Sequence, residues 1–281
     1  MTDKYAVIGN PIAHSKSPLI HAMFAKQAGQ DISYEKIEAP LDGFAATVER
    51  LRAEGYKGCN VTVPFKFEAS KLVTDMTGES WDALDSGHHA DAINTLIFRD
   101  GKIIGHNTDG IGLVQDILRN QNFEISGKRI LLMGAGGAAY GVLHPLLDQQ
   151  PDILVIANRT VDKAVQFVKQ VSGNEQFRLT SVSASNYPDL AGQQFDLIIN
   201  ATSSGLSDEL PPLPPGIFAP GALAYDMMYG RETPFMKFAR EQGARAVDGL
   251  GMLVEQAAEA FFLWRGVRPD TRPVLETLRR S

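Results

Sequence analysis

Arg129-Ile-Leu-Leu-Met133 runs directly into Gly134-Ala135-Gly136-Gly137-Ala138-Ala139. A short apolar run without polar alternation suits a strand buried on both faces, as in a parallel sheet. The glycine-rich stretch after it fits G-x-G-x-x-A. Glycines there permit a tight turn and let the backbone approach a pyrophosphate closely. The helix that follows offers unpaired N–H groups and the positive end of its dipole to the anion. The pattern alone is common. Between a strand and a helix it reads as a dinucleotide-binding turn.

Downstream, Ile153 to Ala157, Phe195 to Ile199 and Leu223 to Met227 read as further strands, with a helix over Asp162 to Val171. Strand and helix in alternation imply an α/β fold with a parallel sheet and right-handed crossovers. Pro211 to Pro220 reads by composition as a surface loop. Met252 to Arg265, rich in Ala and aromatics, reads as the final helix, much of it buried.

Upstream, Tyr5 to Gly9 reads as a buried strand. Ser17-Pro18 opens a helix, with Ser17 as N-cap and Pro18 at the first helical position, and Gly29 ends it. Ile32 to Ile37 alternates as a strand, and Gly43 to Glu54 reads as a helix. Lys57 to Val63 is a strand and Lys66 to Val73 a helix. Ile93 to Phe98 and Lys102 to Gly105 form a hairpin across Arg99-Asp-Gly101, since Asp-Gly is a strong turn signal. Gly112 to Arg119 is helical.

The chain has 281 residues, enough for two domains, with 44% hydrophobic and 21% charged residues. Its net charge of -6 disfavours a nucleic-acid partner. No apolar run is long enough for a membrane span, and the N-terminus lacks a secretory pattern, so a cytoplasmic protein is expected. That expectation also sets aside the N-x-T triplets at Asn60, Asn158 and Asn200 as glycan acceptors. A single cysteine, Cys59, cannot form an internal disulfide or a cysteine metal site, and reads as a small buried residue.

The tip of the strand after the glycine turn decides between dinucleotides. NAD-binding sheets usually carry Asp or Glu there, for the ribose 2′-hydroxyl. This chain has Asn158-Arg159-Thr160, with Lys163 one turn on. Arg159 offers a planar two-pronged donor set to a 2′-phosphate and Lys163 a second positive charge, so NADP is favoured. Asp162, close to both, counts against them.

Polar residues in the first half sit where strands or helices stop. Ser15 and Ser17 beside a helix N-terminus could hold a carboxylate. Lys66 directly follows Asn60-Val-Thr-Val-Pro-Phe65 and could be half buried and suited to proton transfer. Asp109, in Asn107-Thr-Asp-Gly110, either pairs with Lys66 or caps the helix that follows. Burial favours release of the lysine proton and a carboxylate partner favours its retention, so the two effects oppose each other.

These motifs, with Ala92-Ile-Asn-Thr95, Asn200-Ala-Thr202 and Gly249-Leu-Gly-Met-Leu-Val254, occur together and in order from about residue 5 to 266. In this the chain resembles the shikimate dehydrogenase family. The resemblance implies reversible reduction of 3-dehydroshikimate to shikimate by NADPH, in the chorismate route to aromatic amino acids. It implies that Ser15, Ser17 and Tyr229 bind the substrate carboxylate, and that Thr62, Lys66, Asn94, Asp109 and Gln256 hold the ring hydroxyls. Lys66 and Asp109 would be the catalytic pair, with Lys66 passing the proton. Gly134, Ala135, Gly136, Gly137, Ala138, Asn158, Arg159, Thr160 and Lys163 would hold NADP, with Thr202, Met227 and Gly249 on the nicotinamide side. It implies a substrate domain over 1–108, completed by 250–281, and a Rossmann-type NADP-binding domain over 109–249. No metal is implied, and the protein is expected to be a monomer or a homodimer.

The stretch Asp75 to His89 looks longer than in family members. His88, His89, Asp85 and Asp91 there could be read as a metal cluster, but adjacent loop side chains rarely converge on one ion. The longer stretch bears on the choice between shikimate and quinate. A quinate or aminoshikimate dehydrogenase is the alternative within enzymes, and a non-catalytic NADP sensor the alternative outside them. Lys66 and Asp109 argue against a sensor, which has no need of the pair.

Overall fold

The computed structural model describes residues 2–77, 92–172, 174–202 and 209–280. The stretch 78–91, with His88, His89, Asp85 and Asp91, lies outside the described residues. The chain divides into two compact units, Met1–Gly112 with Leu253–Ser281, and Leu113–Met252.

The first unit holds a five-stranded sheet, order β2-β1-β3-β4-β5. Its strands are β1 (Asp3–Gly9), β2 (Ile32–Glu38), β3 (Gly58–Val61), β4 (Thr95–Arg99) and β5 (Lys102–His106). β2, β1 and β3 run parallel, joined through α1 (Ser17–Ala28) and α2 (Phe44–Ala53), while β4 and β5 are the antiparallel hairpin. Asp100 and Gly101 both take positive φ in its turn, as Asp-Gly predicts. α3 (Lys66–Thr77) follows β3, and α4 (Asp109–Gln115) follows β5.

Alternation along β1 serves two cores. Ala6 and Ile8 pack with Phe44, Leu51, Phe65 and Val73. Tyr5 faces the other way, onto Ala260 and Trp264 of α8 (Leu250–Arg265). Tyr5 and Trp264 stack with ring centroids 4.6 Å apart, and Trp264 Nε1 donates to the Leu96 carbonyl at 3.1 Å. Gly58 is glycine for this reason: a Cβ there would lie 2.5 Å from Trp264 Nε1 and 2.4 Å from the Leu96 oxygen.

His21 of α1 is wholly buried and stacks on Tyr34 at 4.2 Å. Burial lowers its pKa from 6.5 to about 3. The folded chain therefore refuses a proton that the unfolded chain accepts below 6.5. Stability should fall as pH drops from 6.5 toward 3, by up to ~1.4 kcal/mol per pH unit from this group. Urea unfolding at pH 7 and pH 4.5 should show a smaller loss in His21→Phe than in wild type. An equal loss would mean that His21 is protonated as easily folded as unfolded.

The second unit holds a six-stranded parallel sheet, order β11-β10-β9-β6-β7-β8. Its strands are β6 (Arg129–Met133), β7 (Ile153–Ala157), β8 (Ser181–Ser185), β9 (Phe195–Asn200), β10 (Phe218–Asp226) and β11 (Arg245–Val247). Ile130 and Leu132 of β6 join one core, Leu131 and Met133 the other. The run is uniformly apolar because both faces are covered. α5 (Gly137–Leu147), α6 (Val161–Val171) and α7 (Pro234–Glu241) connect the strands.

Four expectations need correction. Ser17 is not the N-cap of α1. That position is Lys16, and Ser17 is the first helical residue with Pro18 after it. The helix expected over Gly112 to Arg119 starts at Asp109 and passes at Asp116 into a π-helical turn, Asp116–Asn120. Pro211 to Pro220 is not a surface loop throughout: Leu213 and Ile217 are buried and β10 starts at Phe218. Met252 to Arg265 is not the last helix, because α9 (Arg272–Arg280) follows and buries Val274, Leu275 and Leu278.

Candidate active site

In the first unit, the chain ends that carry polar residues gather at one edge of the sheet. β1 and β3 run parallel and finish there, at Gly9 and Val61. β4 runs the other way, so its first residue, Thr95, stands opposite Asn60, and His106 at the end of β5 stands opposite Thr95. The segments 10–17, 62–66, 92–95 and 107–109 therefore leave the sheet on the same side. Carboxyl ends of parallel strands are where such folds place ligands.

Lys66 opens α3, and its Nζ lies 2.5 Å from Asp109 Oδ2. The two side chains keep 16% and 10% of their exposure, enough for a ligand to reach them. The pair is thus the chosen arrangement of Asp109, and the Asp109 backbone N–H is taken instead by Asn107 Oδ1 at 2.9 Å. Asn94 Nδ2 donates to Asp109 Oδ1 at 2.9 Å and lies 3.5 Å from Gln256 Oε1. Lys66, Asn94, Asp109 and Gln256 form one connected group. Ser15 Oγ donates to Ser17 Oγ at 3.1 Å in the loop before α1, and Ser17 is buried. Thr62 is half-buried just beyond β3. An ammonium held by one carboxylate keeps N–H bonds to spare, so this group can protonate an oxygen and bind hydroxyls.

Tyr229 belongs to the second unit, after β10, where it is half-buried and burial pushes its hydroxyl pKa up.

In the second unit the order of the strands reverses between β6 and β9: β7 and β8 extend one way, β10 and β11 the other. The glycine turn sits at that switch point. Gly134 takes φ 107°, its N–H bonds the Ala157 carbonyl at 2.8 Å, and a Cβ on it would lie 3.0 Å from the Ala201 oxygen. Only glycine fits between the ends of β7 and β9. Nothing lies within 4 Å of the Cβ position of Gly136, the N-cap of α5, so space opens where a pyrophosphate would rest. Ala135 and Ala138 pack partly against the core, and Gly137 begins the helix.

Thr202 follows β9. Its N–H and hydroxyl both donate to Asn200 Oδ1, at 3.2 and 2.6 Å. Asn200 Nδ2 donates to Asp226 Oδ2 at 3.2 Å, and Thr233 Oγ1 donates to the same oxygen at 2.5 Å. Burial raises the Asp226 carboxyl pKa, and these donors oppose that rise. Met227 N–H bonds the Asn200 carbonyl at 3.1 Å. A Cβ on Gly249 would lie 2.4 Å from the Met227 oxygen, which explains the glycine. Thr202 thus lies against the glycine turn at Gly134, Met227 bonds the end of β9, and Gly249 packs on Met227.

At the tip of β7, Asn158 Nδ2 folds back onto the Thr160 carbonyl at 2.9 Å. Arg159, Thr160 and Lys163 are exposed, and among the described residues no ion pair engages either cation, Asp162 included. Two such cations and a glycine cradle fit a nucleotide with a 2′-phosphate. Among the described residues no group of three or more His, Cys, Asp or Glu could hold a metal ion, and no helix is long and apolar enough to cross a membrane.

Sequence reasoning did not single out Thr95, Thr108, Asn200 or Asp226. Thr95, Asn200 and Asp226 stand at strand ends and Thr108 two residues past β5, inside a quoted or adjoining motif, and that position was the available signal.

Three family models match the chain. Residues 7–96 match the shikimate dehydrogenase substrate binding domain, 116–207 match shikimate / quinate 5-dehydrogenase, and 249–279 match the shikimate 5'-dehydrogenase C-terminal domain. The chain is 61% identical over 280 residues to the shikimate dehydrogenase (NADP(+)) of Methylobacillus flagellatus, covering 99% of this chain and 100% of that one. Among solved structures, an Ael1 enzyme from Pseudomonas putida is 46% identical with a TM-score of 0.86, covering 99% and 98%. The shikimate 5-dehydrogenase of Thermus thermophilus, in complex with NADP(H) and shikimate, is 30% identical with a TM-score of 0.83, covering 99% of both chains.

Proposed function

This chain belongs to the shikimate dehydrogenase family, and from that premise we propose that it interconverts 3-dehydroshikimate and shikimate with NADP(H), as the reductive step of chorismate biosynthesis. The observation that carries the residue assignment is the Lys66–Asp109 contact at 2.5 Å, at the edge of the sheet where strand ends gather.

Reduction of the ketone needs a hydride on carbon and a proton on oxygen. NADPH, when bound, supplies the hydride. Lys66 supplies the proton from Nζ and recovers one from water. Asp109 holds the lysine in place through Oδ2 and offers its acceptor capacity to a neighbouring ring hydroxyl. As charge grows on the ketone oxygen, a nearby ammonium lowers the barrier. Thr62, Asn94 and Gln256 hold the remaining ring hydroxyls. Ser15, Ser17 and Tyr229 bind the carboxylate: two hydroxyls already within hydrogen-bonding distance of each other suit its two oxygens. In the reverse direction the same groups take the hydroxyl proton.

The substrate domain spans 1–108 with 250–281, and the NADP-binding domain spans 109–249. Gly134 to Ala138 cradle the pyrophosphate. Asn158 and Thr160 shape the turn from which Arg159 and Lys163 meet the 2′-phosphate, and Thr202, Met227 and Gly249 flank the nicotinamide. Each chain carries all of these residues, so a monomer or a homodimer would serve. The buried, unpaired Cys59 is in keeping with the cytoplasm.

The test is NADPH formation, followed by absorbance, on mixing the protein with shikimate and NADP. Turnover with shikimate should exceed that with quinate, and NADP should far outperform NAD. No turnover with shikimate would overturn the assignment, and equal rates with both dinucleotides would remove the argument from Arg159. Arg159→Ala should raise KM for NADP by roughly 10- to 100-fold, the scale of a lost charge-assisted hydrogen bond, with kcat nearly unchanged. An unchanged KM would place the 2′-phosphate elsewhere.

A further inference from the structure

Asn94 is buried, and its amide cannot be turned around. Its Oδ1 accepts the Thr108 backbone N–H at 2.8 Å, a donor that has no alternative role. Its Nδ2 donates to Asp109 Oδ1 at 2.9 Å, a carboxylate that only accepts. Two hydroxyls complete the set. Thr95 Oγ1 donates to Asn94 Oδ1 at 2.9 Å and accepts from Asn60 Nδ2 at 3.0 Å. Thr108 Oγ1 accepts the second N–H of Asn94 at 2.9 Å and can then donate to Gln256 Oε1 at 3.3 Å. Gln256 Nε2 in turn donates to the Leu253 carbonyl at 2.8 Å. Thr95 and Thr108 are 0% and 1% exposed, so no water replaces either hydroxyl at the surface.

We propose that Thr95 and Thr108 are positioning residues: their hydroxyls fix the amides of Asn94 and Gln256 relative to the Asp109 carboxylate, and so set the spacing at which the ring hydroxyls are received. The inference rests on the dehydrogenase reading. Thr108 is the joint between the two amides. A valine there has nearly the same shape and no hydroxyl. Asn94 then keeps a buried N–H whose other neighbouring acceptor, Gln256 Oε1, is 3.5 Å away, and Gln256 loses the hydroxyl that donates to its carbonyl, so the spacing between the two amides is no longer held. A threonine that merely filled space would tolerate the change, since valine fills it too.

The experiment compares wild type, Thr108→Val, Thr95→Val, Thr108→Ser and Thr95→Ser. Each valine variant should lower kcat/KM for shikimate by roughly tenfold, the scale of one buried hydrogen bond left unmade, with KM for NADP unchanged. Each serine variant, which keeps the hydroxyl and loses a methyl, should recover most of the rate. Circular dichroism and thermal unfolding show that each variant is folded, and NADPH binding followed by fluorescence reports on the other unit. If wild type turns over shikimate and both valine variants match it, or if serine does no better than valine, the positioning role is wrong. If wild type itself shows no turnover with shikimate, the reading on which the inference rests has failed instead.

Discussion

Lys66→Ala should lower kcat by at least ~10²-fold in both directions while NADPH binds as before. Among the described residues, its ammonium is the cation in ion-pair contact with Asp109, at 2.5 Å. Alanine removes the proton, the positive charge that meets the growing oxyanion, and the counter-ion of a nearly buried carboxylate. The residues proposed to hold the dinucleotide lie in the other unit, which is why cofactor affinity should not change. Stopped-flow or steady-state absorbance of NADPH reads the first quantity and fluorescence titration the second. A near-normal rate would remove Lys66 from the chemistry.

Asp109→Asn should cost about as much, ~10²-fold or more in kcat, although the side chain keeps its shape. The carboxylate accepts from Asn94 Nδ2 on one oxygen and from Lys66 Nζ on the other. An amide has one oxygen and one NH2, so whichever way it turns it sets a donor against a donor. Lys66 also loses its compensating charge in a site that is largely closed to water. The loss should appear in kcat and in KM for shikimate, since Asp109 is also proposed to touch the ring. Wild-type rates in this variant would show that the contact is structural only.

How much of this could be read in the chain follows from the range over which each feature is determined. The glycine turn, the apolar strands around it and the Asp-Gly hairpin are local, and their residues state their conformation directly. The strand Ser181–Ser185 is a different matter. It is a polar edge strand, defined only by pairing with β7, and its residues carry no strong strand signal. β11 has three residues and exists because β10 is beside it. α7 was more accessible: Thr233 caps it, accepting from Met236 N–H, and Pro234 opens it, a start signal in plain view. Ser17-Pro18 carried the same signal and misled, because the helix begins one residue early and Ser17 turns to Ser15.

The candidate site shows the same division. That Lys66, Asn94 and Asp109 are polar residues at the ends of elements was visible. Whether Asp109 would pair with Lys66 or cap its own helix was not, because that depends on how β4 and β5 bring residues 94 and 109 to the end of β3. Thr95 and Thr108 were hidden for a related reason: a threonine at a strand end is ordinary until its hydroxyl is seen joining two amides.

The most direct measurement is a double-mutant cycle on kcat with Lys66→Ala, Asp109→Ala and the two combined. If the ammonium and the carboxylate act as one unit on one proton, the combined variant should be scarcely slower than either single variant, because removing the first partner already removes the function of the second. Losses that multiply, with the double variant slower by the product of the two single effects, would mean that the groups act independently and would contradict the account.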